Sequence, residues 1–152
     1  MSIAPIVRTV TVRQPPDRAF DLFTARIGDS WPRQQSLGPG ELASVSLEPR
    51  VGGRWREHKV DGSEATFGDV LAWEPPHRLL LAWRIDAAFQ YDPALTTEVE
   101  VRFDAIDEGT RVTLEHRNLE RFGSDAPRIA ELLGGGWPTT LAHFADFTAT
   151  TA

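Results

Sequence analysis

The 152-residue chain contains no cysteine. Disulfides, thiolate metal sites and cysteine nucleophiles are excluded together. Lysine is nearly absent too, since the sixteen basic residues are fifteen arginines and Lys59. No apolar run approaches the ~18 residues of a membrane-crossing helix. The N-terminus, MSIAPIVRTV, lacks a basic segment followed by a long apolar stretch. A secretory signal is therefore not expected, and a cytoplasmic location is. The sequence has no GxSxG elbow, HExxH, Walker A loop or GxGxxG. Its four histidines, His58, His77, His116 and His143, have no ligand spacing, so neither a metal nor a cofactor is expected. Basic charge is in deficit, sixteen residues against twenty-two acidic ones, for a net charge of −6. An acidic domain is a poor general partner for nucleic acid or an anionic membrane. The arginines are scattered along the chain and read as compositional bias rather than an anion-binding patch.

What is present fits one globular domain spanning residues 1–152. Apolar residues make up 41% and charged residues 25%, and a chain of this length buries roughly 70% of its unfolded surface. Residues 6–13 are β-branched with interleaved polar positions and predict a strand. Pro15-Pro16 ends it, and Asp17 opens a short helix to about Ala25, with Ala19, Phe20, Phe23 and Ile27 on one face. Residues 28–40, broken by glycine and proline and carrying Trp31, predict a loop with room for one helical turn. From residue 41 the period becomes two. Strands are predicted near 41–49, 53–60, 65–73, 78–85, 97–106 and 110–119, separated by short turn signals. Such connections favour antiparallel neighbours. Only the 86–96 connection is long. Asp125-Ala126-Pro127 starts a helix. Gly134-Gly135-Gly136 is expected to end it, with a second helix from Trp137 carrying Leu141, Phe144, Ala145 and Thr148 on one stripe. The pattern is α+β, with helices gathered on one face of an antiparallel sheet.

Alternation assigns the inward faces. They are Val99, Val101 and Phe103 on one strand and Val112, Leu114, His116 and Asn118 on the next. Leu79, Leu81 and Trp83 follow on a third, and Leu71 and Trp73 on a fourth. His116 and Glu57, which shares the phase of Trp55, are polar residues on these faces. A buried polar group needs a partner. His116 is either a satisfied core histidine or a group meeting water or ligand. Glu57 either reaches solvent, pairs with Lys59 or an arginine, or faces a cavity. Were the two to meet, they would form an acid/base pair in a dry pocket and the best catalytic candidates in the chain.

Several runs in order and spacing resemble a known family. They are Val51-Gly52-Gly53-Arg54-Trp55, Asp61-Gly62, Gly68-Asp69-Val70-Leu71, Glu74-Pro75-Pro76-His77-Arg78-Leu79 and Ala82-Trp83. Residues 97–103, the run from Gly109 to His116, and Gly136-Trp137 with Leu141 continue the match, which covers residues 6–149. The chain resembles the bacterial domain homologous to the activator of the 90-kDa heat-shock protein ATPase, within the START-like superfamily (SRPBCC, or birch-pollen-allergen fold). The resemblance implies a helix-grip fold, in which a seven-stranded antiparallel sheet curves around a C-terminal helix and two short N-terminal helices close one end. It also implies a cavity between sheet and helix that takes a small apolar or amphipathic ligand. Its expected walls are Trp55, Leu71, Trp73, Leu81 and Trp83, then Val101, Phe103, Leu114 and His116, then Trp137, Leu141 and Phe144. In the 86–96 loop, Phe89 and Tyr91 either fold over the cavity mouth, with the Tyr91 hydroxyl on the ligand, or pack on the sheet edge or against a second copy in a homodimer. Three functions follow. The first is a non-enzymatic binder. The second is a cyclase-, dehydratase- or hydrolase-type enzyme on an aromatic or polyketide-like substrate. The third is a cochaperone-like module, although the eukaryotic activators carry an additional N-terminal domain for which 152 residues leave no room.

Overall fold

The computed structural model describes residues 3–37 and 40–151. Strand β1 (Ile6–Val12) leads into helices α1 (Pro16–Thr24) and α2 (Ile27–Ser30). Six strands follow: β2 (Leu42–Leu47), β3 (Arg54–Lys59), β4 (Glu64–Glu74), β5 (Arg78–Trp83), β6 (Thr97–Ile106) and β7 (Gly109–Arg117). A 3₁₀ segment, Leu119–Asp125, leads into α3 (Ala126–Thr150). The seven strands form one antiparallel sheet in the order β1-β7-β6-β5-β4-β3-β2, so β1 closes against β7 and every other neighbour follows chain order. Among the described residues no helix is long and apolar enough to cross a membrane.

The sheet curls around α3, and α1 plugs the space beside it. Phe20 and Phe23 of α1 meet Phe103 of β6 edge-on at 5.1 and 5.8 Å, and Phe23 meets Phe144 of α3 at 5.1 Å. Such pairs add ~0.5–1.5 kcal/mol beyond the area they bury. The alternation on β6 and β7 holds, for Val99, Val101, Phe103, Val112, Leu114 and His116 are all buried. Asn118 lies beyond the end of β7, because its backbone turns left-handed (φ 67°) to start the 3₁₀ segment.

Alternation fails on β4. Val70 pairs with Leu81 but Ala72 pairs with Leu80, so Leu71 is a bulge residue. The extra residue shifts the phase. Val70 takes the buried position, and Leu71, expected inward, is only partly buried and outside the core cluster. A second shift lies between Trp55 and Arg56, whose partners are Gly68 and Thr66, which leaves Phe67 unpaired and buried. Gly68 is required at this kink, since a Cβ there would stand 1.7 Å from the Ala82 carbonyl oxygen.

The expected helix break at Gly134–Gly136 does not occur. Helix α3 runs through all three glycines and through Pro138 for 25 residues, about 37 Å at 1.5 Å per residue. Three interior glycines cost roughly 3 kcal/mol relative to alanine. Burial of Trp137, Leu141 and Phe144, at roughly 1.5–3 kcal/mol each, exceeds that. Side chains from elsewhere also repair the ladder. Pro138 has no N–H for the Gly134 carbonyl, the acceptor four residues back. The guanidinium of Arg8 on β1 donates to that oxygen instead, at 3.1 Å. Gln35 Nε2 donates to the Gly136 carbonyl at 3.0 Å. The glycine penalty was real but local, and tertiary contacts outweigh it.

Candidate functional site

A cleft of about 360 Å³ opens between α3, the segment after α2 and the ends of β4 and β5. Its aromatic walls are Trp31, Phe67, Trp83 and Trp137, and Phe89 stands at the rim. Gln34, Gln35, Ser36 and Leu37 form one side, and Leu132, Leu133 and Gly136 of α3 form the other. The rings brace one another. Trp31 lies 5.4 Å from Phe67 and 6.3 Å from Trp137, and Trp83 lies 5.8 Å from Phe67 and 5.7 Å from Trp137. Trp55 stands behind them, 5.0 Å from Phe67 and 5.6 Å from Trp83. Edge-on and tilted contacts hold each ring by its neighbours, which suits a preformed apolar cleft with a few polar groups.

The polar wall is tied down at three points. Trp31 Nε1 donates to the Gln35 carbonyl at 2.9 Å, which folds the segment back on itself. The Gln35 side chain bridges to α3, donating to Gly136 and accepting from Thr140 Oγ1 at 2.6 Å. The Leu37 N–H donates to both carboxylate oxygens of Glu57, at 2.9 and 3.1 Å. On the opposite rim, the 86–96 loop is organised by Asp86. Its Oδ1 accepts the N–H of Ala88 and of Gln90, and Phe89 between them adopts φ 61°. That turn leaves Phe89 54% exposed at the cleft, with Leu132 of α3 51% exposed at the same mouth.

His116 is wholly buried behind Trp137. Trp137 Nε1 can only donate, and it does so to His116 Nδ1 at 3.1 Å. The neutral imidazole therefore carries its proton on Nε2 and donates to Thr97 Oγ1 at 2.8 Å. Thr97 in turn donates to the Trp83 carbonyl at 3.1 Å. Burial pushes the His116 pKa down to about 3, so the ring is uncharged at neutral pH. Every polar atom of this relay is used, and its two ends are the cleft residues Trp83 and Trp137.

Glu57 is buried as well, but beside another group. Lys59 Nζ lies 2.9 Å from Glu57 Oε1, with both side chains almost fully enclosed. Lys59 also donates to Ser36 Oγ and, at 3.5 Å, to the Gly40 carbonyl. No hydrogen bond or ion pair joins Glu57 to His116 among the described residues; each is bound to other partners.

Of the expected wall residues, only Trp83 and Trp137 line this cleft. Trp55, Leu81, Val101, Phe103, Leu114, Leu141 and Phe144 are core, and His116 is buried beside them. Trp73 packs edge-on against Phe20 at 5.1 Å. Tyr91 is 45% exposed, pairs with Ile85, and borders a more open hollow with Lys59, Asp61 and Glu64. Phe89, rather than Tyr91, is the loop aromatic at the cleft. Sequence reasoning missed Trp31, Gln34, Gln35, Ser36, Leu37 and Phe67, together with Leu132, Leu133 and Gly136 of α3. Phe67 carried one signal, its place beside a glycine in a strand, which marks a bulge or a close backbone approach. A Gln-Gln-Ser-Leu run between Pro32 and Gly38 carried the other.

No curated protein matches the chain. Among solved structures, it is 40% identical to Txn09, an anthrahydroquino-gamma-pyrone synthase complexed with SUM, with 95% of this chain and 97% of that one covered and a TM-score of 0.67. MLL2253 from Mesorhizobium loti shares 22% identity over 98% of this chain and 99% of its own, with a TM-score of 0.73. CalU16 from Micromonospora echinospora shares 24% identity over 94% of this chain and 71% of that one, at 0.58. The family model of the Activator of Hsp90 ATPase homolog 1-like proteins matches residues 13–149. With the curled seven-stranded sheet gripping α3, these matches establish that the chain is a START-like domain belonging to the Activator of Hsp90 ATPase homolog 1-like family.

Proposed function

We propose that this chain binds a flat, polycyclic aromatic molecule bearing phenol or quinone oxygens in the Trp31–Trp83–Trp137 cleft, and closes an oxygen-containing ring on it. The aromatic cleft carries the reading. Its volume is at the small end of ligand pockets, which run ~300–1,000 Å³, and suits a few fused rings better than a lipid chain. Its walls offer ring faces and edges on several sides, with amide and hydroxyl groups from Gln34, Gln35 and Ser36 on one. The identity shared with a pyrone synthase over nearly the whole chain supports the ring-closing step.

Such a ring forms when a phenol oxygen attacks a ketone on a neighbouring side chain and water leaves. The reaction is intramolecular. A cleft that holds the side chain folded over the ring system lowers the entropic part of the barrier, which is worth up to ~7–11 kcal/mol in well-oriented cases. No ionisable side chain lines this cleft among the described residues, so shape, exclusion of water and neutral hydrogen bonds would do the work.

The test uses an anthraquinone carrying a 1,3-diketone side chain beside a ring hydroxyl. The protein should quench in tryptophan fluorescence saturably and speed loss of one water, followed by mass spectrometry. Leu133→Trp, which fills the cleft from partly exposed α3, should abolish both while leaving the fold intact. Equal binding by that variant would overturn the site. A second reading, a non-enzymatic binder, draws on the absence of ionisable groups at the cleft. Tight, saturable binding with no acceleration of water loss would select it.

A further inference from the structure

Ser36 stands where the aromatic cleft meets the buried Glu57–Lys59 pair. Ser36 is one of the residues lining the cleft, and its Oγ accepts a hydrogen bond from Lys59 Nζ. The ammonium has three donors, and three acceptors surround it: Glu57 Oε1 at 2.9 Å, Ser36 Oγ and the Gly40 carbonyl at 3.5 Å. Lys59 is thereby held in place, and its charge is met by Glu57. The Ser36 proton is differently placed. Its only acceptor among the described residues is Glu57 Oε1 at 3.4 Å, a long contact to an oxygen that already receives Lys59 and the Leu37 N–H. The hydroxyl is therefore loaded as an acceptor and weakly committed as a donor.

Resting on the cleft reading above, we propose that Ser36, polarised by Lys59, is the donor that recognises an anionic or carbonyl oxygen on the rim of the bound aromatic, and so selects oxygenated ring systems over bare hydrocarbons. A hydroxyl that accepts from a cation donates more strongly through its own proton. A neutral serine reached by a buried cation gives an apolar cleft a share of positive character without placing a charge in it, where desolvation would be costly. A phenolate or quinone oxygen is the chemistry that such a donor fits. The Glu57 carboxylate keeps the pair neutral overall, and through Leu37 it fixes the backbone that carries Ser36.

The experiment titrates two probes of the same three-ring shape, 1,8-dihydroxyanthraquinone and anthracene, into the full chain by tryptophan fluorescence. The visible spectrum of the bound quinone reports phenol against phenolate. Ser36→Ala should weaken the quinone about tenfold, leave anthracene unchanged, and remove any phenolate colour acquired on binding. Because Lys59→Met alone would leave Glu57 buried without its partner, the coupled variant Glu57→Gln with Lys59→Met tests the polarising pair. It keeps Ser36 and should reproduce most of the loss for the quinone only. Equal quinone affinity and an unchanged spectrum in Ser36→Ala, with wild type binding both probes, would overturn the proposal and leave the cleft reading standing. Equal weakening of both probes would also overturn it, since Ser36 would then only shape the wall. Failure of wild type to bind either probe would overturn the cleft reading and this proposal with it.

Discussion

Acid should destabilise this protein through His116, by an amount that its burial sets. The imidazole is fully enclosed, accepts from Trp137 Nε1 through Nδ1 and donates from Nε2 to Thr97. Protonating Nδ1 would bury a cation and turn its acceptor into a second donor facing the Trp137 N–H. Burial accordingly lowers the folded pKa from 6.5 to about 3. Below pH 6.5 the unfolded chain takes up a proton that the folded chain refuses, so folding stability falls as pH falls. The loss begins near pH 6.5, grows at ~1.4 kcal/mol per pH unit, and levels off near pH 3. Between pH 7 and pH 5 it amounts to about 2 kcal/mol. Carboxylates titrate over part of the same range, so the comparison must be with a variant. His116→Gln keeps one amide N–H for Thr97 and one carbonyl for Trp137 but cannot ionise. Urea unfolding at successive pH values, followed by tryptophan fluorescence, measures both. The Gln variant should be the less stable at pH 7, and the gap should close by about 2 kcal/mol at pH 5. Parallel pH profiles would refute the reasoning, because a histidine that titrates alike in both states carries no such linkage.

Three further outcomes follow from the backbone and the outer sheet face. Gly68→Ala should cost about 3 kcal/mol or more in urea unfolding, because its Cβ would sit 1.7 Å from the Ala82 carbonyl oxygen and only a backbone shift relieves that. Gly135→Ala, where a Cβ meets nothing within 4 Å in mid-helix, should instead stabilise by about 0.5–1 kcal/mol. Burial opposes ionisation of Glu100, yet hydrogen bonding and charge from Arg78, Arg117 and Arg102 outweigh it and lower its pKa. Glu100→Gln should therefore lower the melting temperature at pH 7, with a deficit that shrinks as pH falls toward the carboxylate range.

The strands were legible because their signals are local. On β6 and β7 the two-residue period assigns the inward side chains correctly up to His116 and fails at Asn118, where the strand has ended, and the turn residues between strands set their antiparallel order. Helix α3 was misjudged at its middle because what holds it together is distant in sequence. Arg8, 126 residues away, satisfies the Gly134 carbonyl, and Gln35, 101 residues away, satisfies that of Gly136. The arginines that look scattered in sequence meet in space, with Arg78, Arg102 and Arg117 converging on Glu100. The cleft was half legible for a similar reason. Trp83 and Trp137 were anticipated by phase, but Phe67 enters through a bulge that alternation cannot foresee. The Gln34–Leu37 wall has no period at all and is placed by hydrogen bonds to α3 and Glu57.

His116, Glu57 and Lys59 are hydrogen-bonded to residues of the cleft wall without lining it, and that arrangement bears on the kind of chemistry the cleft can do. His116 is screened by Trp137 and stays neutral above pH ~4, given a pKa of about 3. Glu57 and Lys59 neutralise each other behind Ser36 and Leu37. A protein using a titrating acid or base would show its pKa in the rate, as a limb or a bell. One that folds the substrate and excludes water would not, because nothing in contact with the substrate changes charge. For the anthraquinone diketone, the ratio of the protein-promoted rate to the spontaneous rate should therefore show no bell from about pH 5 to about pH 9, its one slope being that of the substrate's own phenol, which Ser36 favours as phenolate in the cleft. Stopped-assay mass spectrometry over that range measures it. A bell-shaped ratio would mean that a titrating side chain reaches the reacting atoms, and would sink the account of this cleft as a positioning site.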